Sequence, residues 1–241
     1  MTRSFLPLAL AAFVLAIVPA GAQEIAQRPK ISVTGEGEAT LTPDMAVIHL
    51  SVMREAATAR EAMDSNNEAM RRVIGALQES GVEDRDLQTS GLAVEPRYVY
   101  PNERNGEAQP RIVGYQVTNG LIVRVRDLSK VGAIIDESVT LGVNQGGNIS
   151  FTNDDPGEAL SEARKRAVED ALSRARTLAQ AAGVKLGDVL EITEQTHGAP
   201  PPMPLGARVM RMEAAADASV PVQAGENTYQ VQVNVTFELD Q

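Results

Sequence analysis

The sequence predicts an α+β fold, built largely from antiparallel sheet with helices packed on one face. Two observations carry that expectation. The first is alternation: Tyr229, Val231, Val233, Val235, Phe237 and Leu239 interleave with Gln230, Gln232, Asn234, Thr236 and Glu238. A polar outer face on such a strand fits an antiparallel sheet with one side in water, rather than a parallel sheet covered on both sides. The second is order: a strand–helix–strand pattern occurs at 45–94 and again at 111–152, and both units can set a helix on the same face of one sheet.

The front of the chain is not part of that fold. Met1-Thr2-Arg3 precedes an apolar run, Phe5 to Val18, which ends in Ala20-Gly21-Ala22. A charged start, a short apolar segment and an A-x-A site make a secretory signal peptide, 1–22, cleaved between Ala22 and Gln23. The run is shorter than the roughly 20 residues of a membrane span, so no stable insertion is expected after cleavage. Residues 23–241 are then exported, a length that suits one domain or two small ones. The chain has no cysteine. That excludes disulfides, thiolate nucleophiles, thiolate metal sites and a lipid-modified N-terminus. The formal charge of -10 repels phosphate backbones, so nucleic acid is not an expected partner.

Taken in order, 31–41 (ISVTGEGEATL) reads as a strand interrupted by Gly35 and Gly37, which signal a bulge or a close backbone approach. Met45 to Met53 is a strand with Ala46, Ile48, Leu50 and Val52 on one face and Val47, His49 and Ser51 on the other. A helix over 56–80 carries Met63, Met70, Val73, Ile74 and Leu77 as a stripe. Residues 86–100 are extended, and 101–110 form a polar loop bounded by prolines, suited to a hairpin connection. Strand 111–126 turns Tyr115, Val117, Leu121, Val123 and Val125 one way. A short helix over 127–141 points Leu128, Val131, Ile134, Ile135 and Val139 inward, and 144–152 is a strand.

The strongest helix begins at Asp155-Pro156 with Glu158 in a capping-box position, and Gly183 closes it. Ala159, Ala163, Ala167, Ala171, Ala175 and Ala179 recur every four residues, a ridge of small side chains that lets the helix sit close to a neighbour. Glu162/Arg166 and Asp170/Arg174 are i,i+4 pairs expected on the solvent side. Strands follow at 188–195 and 228–239, separated by a long loop, 197–225, rich in Pro, Ala and Met.

Chemistry is sparse. Gly35-Glu36-Gly37 lacks the third glycine and the following helix of a phosphate loop. The two histidines, His49 and His197, stand in no H-E-x-x-H pattern, and no G-x-S-x-G elbow occurs, so no catalytic residue is assigned. His197, Met203, Met210 and Met212 share the long loop, and imidazole with thioethers suits Cu(I). They are the candidate metal ligands, against the plainer reading of methionines filling apolar gaps or acting as oxidant sinks. No cofactor is implied. The N-x-S/T patterns at Asn148 and Asn234 fall inside predicted strands and are read as chance.

Several short motifs occur in order: Val33-Thr34-Gly35-Glu36-Gly37, Pro43-Asp44-Met45-Ala46, Asp86-Leu87-Gln88-Thr89, Gly114-Tyr115-Gln116-Val117-Thr118-Asn119 and Val123-Arg124-Val125-Arg126-Asp127-Leu128. Ile149-Ser150-Phe151, the alanine helix ending at Gly183, Leu186-Gly187-Asp188-Val189, and Pro221 through Gly225-Glu226 follow. Together they resemble the SIMPL-domain family (DUF541). The resemblance implies an α+β domain able to form large homo-oligomeric rings, channel-like in form. It also implies a role in envelope or oxidative stress, and it carries over no catalytic residue. The expected partner is therefore a second copy of the chain. The alternatives are a module that binds a small molecule or metal through 197–225, and an enzyme.

Overall fold

The computed structural model describes residues 29–100, 109–195, 203–204 and 220–240. The alternating segments form β1 (Lys30–Leu41), β2 (Met45–Ala56), β3 (Leu87–Val99), β4 (Arg111–Val125), β5 (Gln145–Thr152), β6 (Lys185–Glu194), the two-residue β7 (Met203–Pro204) and β8 (Asn227–Asp240). The segments of helical period form α1 (Ala59–Glu79), α2 (Val131–Leu141) and α3 (Gly157–Ala182). Every strand pairing is antiparallel.

The two strand–helix–strand units share one sheet, as the sequence order implies. Its strand order is β3-β4-β2-β5. With α1 joining β2 to β3 and α2 joining β4 to β5, this is the split β-α-β arrangement of ferredoxin-like folds. One core closes it: Ala46, Ile48, Leu50 and Val52 of β2 and Leu121, Val123 and Val125 of β4 pack under Met70, Val73 and Leu77 of α1 and Val131 and Ile134 of α2. Thr58 caps α1 by accepting from the Glu61 N–H, while the Glu61 carboxylate accepts from the Thr58 N–H. Asn66, wholly buried on α1, donates from Nδ2 to the carbonyls of Val52 (2.7 Å) and Val117 (3.1 Å), which pins the helix to two strands.

The remaining strands form a second sheet. The edges of β2 are taken by β4 and β5, and β1 instead pairs with β8 over twelve residues, Lys30↔Glu238 to Leu41↔Asn227. The second sheet runs β1-β8-β6, with β7 beside β8, and α3 covers it. Asn153 joins the two sheets: it donates to the Thr42 carbonyl (2.6 Å) and accepts from Asn227 Nδ2 (3.0 Å) and from the Tyr229 hydroxyl (2.9 Å).

Three local expectations change. Val139 is 58% exposed rather than inward. At about 100° per residue, Ser138 is the residue that follows Val131 and Ile134 down to the core, and its hydroxyl donates to the Ile134 carbonyl (2.6 Å). Helix α3 starts at Gly157, with Asp155 Oδ1 accepting from its N–H (2.8 Å). Within the expected loop, Met203–Pro204 pairs with Thr228 and Asn227, and Val222 packs against the α1/α2 core.

Candidate functional site

The alanine ridge and the two strand glycines are halves of one seam. Ala163, Ala167, Ala171 and Ala175 are wholly buried. A Cβ on Gly35 would overlap the Ala167 carbonyl oxygen and come within 2.6 Å of the Ala171 nitrogen, and one on Gly37 would overlap the Ala163 carbonyl oxygen. The match is geometric: four helical residues rise about 6 Å and two strand residues rise about 6.8 Å. A-x-x-x-A on a helix therefore stays in step with G-x-G on an antiparallel neighbour.

The same step closes the free edge of β1. Arg174 donates to the Thr34 carbonyl (3.0 Å), Asp170 accepts from the Glu36 N–H (3.0 Å), and Arg166 donates to the Glu38 carbonyl (2.7 Å). These side chains, expected to be solvent-facing ion pairs, keep those pairs (Arg166–Glu162 3.0 Å, Arg174–Asp170 2.9 Å) and also replace the missing strand partner. Unpaired strand edges invite pairing with other chains, and here a helix of the same chain removes the opportunity.

The other sheet ends differently. Strand β2 stops at Ala56, opposite Tyr115, so Arg97–Val99 and Arg111–Gly114 pair only with each other. This two-stranded ribbon exposes Tyr98 (49%), Val99, Ile112 and Val113, and Tyr100 just beyond β3 is 70% exposed. With Leu92 and Val94, seven of the fourteen exposed large apolar residues described lie on this one hairpin. Three of the chain's four tyrosines, Tyr98, Tyr100 and Tyr115, belong to it, in a chain without tryptophan. Aromatic side chains left in water on a ribbon are the composition of an interaction surface. Smaller exposed apolar residues, Val189, Leu190 and Ile192, lie on edge strand β6.

A charged corner lies at the opposite end of β4. Asp86, almost fully buried, receives Arg126 through Nε (2.9 Å) and Nη2 (3.1 Å), and Arg126 Nη1 reaches Asp154 (2.7 Å). The hydrogen bond from Arg126 holds the Asp86 carboxyl below its ordinary range, and the two carboxylates raise the guanidinium in turn. Burial raises the Tyr229 hydroxyl, which donates to Asn153. A hollow of about 150 Å³ beside this corner mixes Asp86 and Asp127 with Arg124, Arg126 and Lys130. Its charges answer one another, with Arg126 already committed to Asp86.

The residues singled out from sequence are not assembled into a centre. His49 lies exposed on the open face of β2, across from Ile122 and Asn148, with no hydrogen-bonding partner among the described residues. His197, Met210 and Met212, and the cleavage pair Ala22 and Gln23, lie outside the described residues. Met203 enters only through its backbone pairing to Thr228. Among the described residues no group of three or more His, Asp or Glu is placed to hold a metal ion.

A sequence model of SIMPL, described as a protein of unknown function (DUF541), matches residues 31–237. The chain belongs to the SIMPL family. The match runs from β1 into β8, so the seam, the charged corner and the ribbon all fall within the extent of SIMPL. The chain is 54% identical over 227 residues to a protein of Brucella melitensis named 26 kDa periplasmic immunogenic protein, covering 92% of this chain and 90% of that one. It is 28% identical over 247 residues to a protein of Escherichia coli named Uncharacterized protein YggE, covering 98% and 94%. A protein of the same name from Edwardsiella ictaluri is 26% identical over 225 residues, covering 90% of each. No helix among the described residues of this SIMPL chain is long and apolar enough to cross a membrane.

The ribbon is the feature that sequence reasoning passed over as an extended segment and a polar loop. The signal was present: Val94, Pro96, Tyr98 and Tyr100 alternate, and the two tyrosines lie beyond the point where β2, on the far side of β4, ends.

Proposed function

We propose that this chain is a non-enzymatic protein of the periplasm that acts as a homo-oligomer, ring-like or channel-like, in envelope or oxidative stress. The observation that carries self-association is the uncovered ribbon with exposed Tyr98, Tyr100 and Ile112. A two-stranded ribbon alone is marginal in water, and a second copy supplies the missing contact. The periplasmic name of the Brucella relative and the apolar segment before Gln23 support the compartment. The stress role rests on the family resemblance.

The test is the mass in solution of the chain purified from the periplasm of an expression host, by light scattering over a range of concentrations. A discrete multiple of the chain mass is the expected result. A monomer at every concentration, or protein retained in the cytoplasm, overturns the reading. For the stress role, a strain lacking the gene is expected to lose viability under peroxide or envelope stress and to regain it with the wild-type chain but not with Tyr98→Ser/Ile112→Thr. Equal rescue by both would remove assembly from the stress role.

A further inference from the structure

We infer that the chain opens in two steps: the half built on α3, β1, β6 and β8 unlatches at Asn153 and unfolds while the half built on β2–β5, α1 and α2 stays closed. The device is conformational and holds whether or not copies associate.

The molecule has two separate cores. One lies between the β3-β4-β2-β5 sheet and helices α1 and α2, the other between the β1-β8-β6 sheet and α3, and they share no residue. Among the described residues, elements in broad contact belong to the same half: α3 lies on β1, β8 and β6, and α1 lies on β2, β4, β3 and α2. A part of a chain with its own core can open as a unit of its own. The two sheets end at a common junction: β1 stops at Leu41 opposite Asn227, and β2 starts at Met45 opposite Thr152. The chain crosses between the halves at 42–44 and 153–156, and Val222, on the way into β8, rests on the core of the other half.

Asn153 ties this junction. From within the second crossing it donates to Thr42 in the first (2.6 Å) and accepts from Asn227 Nδ2 (3.0 Å) and the Tyr229 hydroxyl (2.9 Å) at the start of β8. Asn227 Nδ2 also donates to the Phe151 carbonyl on β5 (3.2 Å). All three side chains are buried, so parting the halves breaks bonds made out of water, and the closed arrangement is favoured. The two cores are unequal. Six of the twelve buried core residues of the α3 half are alanines, against two of fifteen in the other half, where Ile48, Leu50, Met70, Leu77, Leu121 and Ile134 supply larger side chains. Alanine takes less apolar surface out of water than these, so the α3 half is the weaker unit and opens first. Its opening frees β1 from α3, so the strand edge closed by Arg166, Asp170 and Arg174 is guarded by the half that yields first.

The test is hydrogen–deuterium exchange of the wild-type chain in rising urea below its unfolding transition, at one fixed protein concentration. The slowest amides of α3, β1 and β8 are expected to lose protection at lower urea than those of α1, β2 and β4, and to be about tenfold or more less protected without urea. One urea dependence shared by all six elements means a single cooperative unit and overturns the proposal, and so does a β2–β5 half that opens first. Two variants locate the boundary and the latch. Gly35→Val should lower protection on α3, β1 and β8 and leave α1, β2 and β4 as in the wild type. Equal falls in both halves would contradict two units. Asn153→Ala should widen the gap between the halves, and a gap it leaves unchanged overturns the latch. Where a variant yields no folded protein, the wild-type comparison alone decides.

Discussion

The edge of β1 and the end of the β3–β4 hairpin pose the same problem and meet it differently. Each is the border of an antiparallel sheet, with strand groups that have no strand beside them. At β1 the chain answers from within. Helix α3 lies so close that Gly35 and Gly37 leave no room for a Cβ, and Arg166, Asp170 and Arg174 take up Thr34, Glu36 and Glu38 of the backbone. At the ribbon no helix among the described residues takes that place. Helix α1 covers the sheet as far as β2 reaches, and beyond Ala56 the apolar face continues into water on Tyr98 and Ile112. A border filled by the chain's own small residues belongs to stability. A border decorated with aromatics and left open belongs to association.

The contrast can be broken at either end. The largest effect is expected at the seam. Gly35→Val adds a β-branched side chain that a strand favours by up to about 1 kcal/mol, yet it meets the backbone of Ala167 and Ala171. Overpacking outweighs the gain, and a net loss of about 3 kcal/mol is expected in urea unfolding. A loss under about 1 kcal/mol would mean that α3 slides away at no cost. Ala171→Leu, on the helix side of the same contact, is expected to lose about 1–3 kcal/mol by the same measurement. Wild-type stability there would place Ala171 in solvent, against its complete burial.

Next comes the charged corner. Asp86→Ala removes a buried acceptor of two hydrogen bonds from Arg126. Arg126 is partly exposed and keeps Asp154, so screening reduces the loss to about 1–2 kcal/mol. The pH dependence has a definite sign. The Asp86 carboxyl sits below its ordinary range when folded, so its contribution is present above about pH 4, the unfolded range, and is lost as pH falls through the lowered folded value. Acid unfolding of the wild type should show this loss, and Asp86→Ala should lack that part of the slope. Identical acid profiles would contradict it. The smallest effect on folding is expected at the ribbon: Tyr98→Ser/Ile112→Thr should leave stability of the monomer within about 0.5 kcal/mol while lowering the solution mass. A large loss of stability at unchanged mass would make the ribbon part of the core instead.

Much of the fold was legible because period and burial agree. Strand β8 alternates as read, and Tyr229, Val231, Val233, Val235 and Phe237 are all buried. The two strand–helix–strand units share a sheet as their order implied. Gly35 and Gly37 signalled a close approach, and the alanine spacing signalled a close helix, but nothing local says that one is the partner of the other. That pairing spans more than a hundred residues and decides the second sheet. Asn66 and Ser138 were invisible for a different reason. A polar residue is buried where a backbone carbonyl can receive its hydrogen bond, and that depends on neighbours that periodicity does not describe. The ribbon was missed because exposure is a property of what fails to cover a strand, here a β2 that ends at Ala56. For His197, Met210 and Met212 the described residues add nothing to the sequence reading.

The most direct test of the contrast is hydrogen–deuterium exchange of the wild-type chain followed across a range of protein concentrations. The segment containing Glu36 should exchange slowly at every concentration, because Asp170 of the same chain holds its N–H. The segments containing Tyr98–Tyr100 and Ile112–Val113 should be protected when concentrated and lose that protection on dilution. Ribbon protection that ignores concentration, or an edge at Glu36 that exchanges as fast as an open strand, would contradict the account.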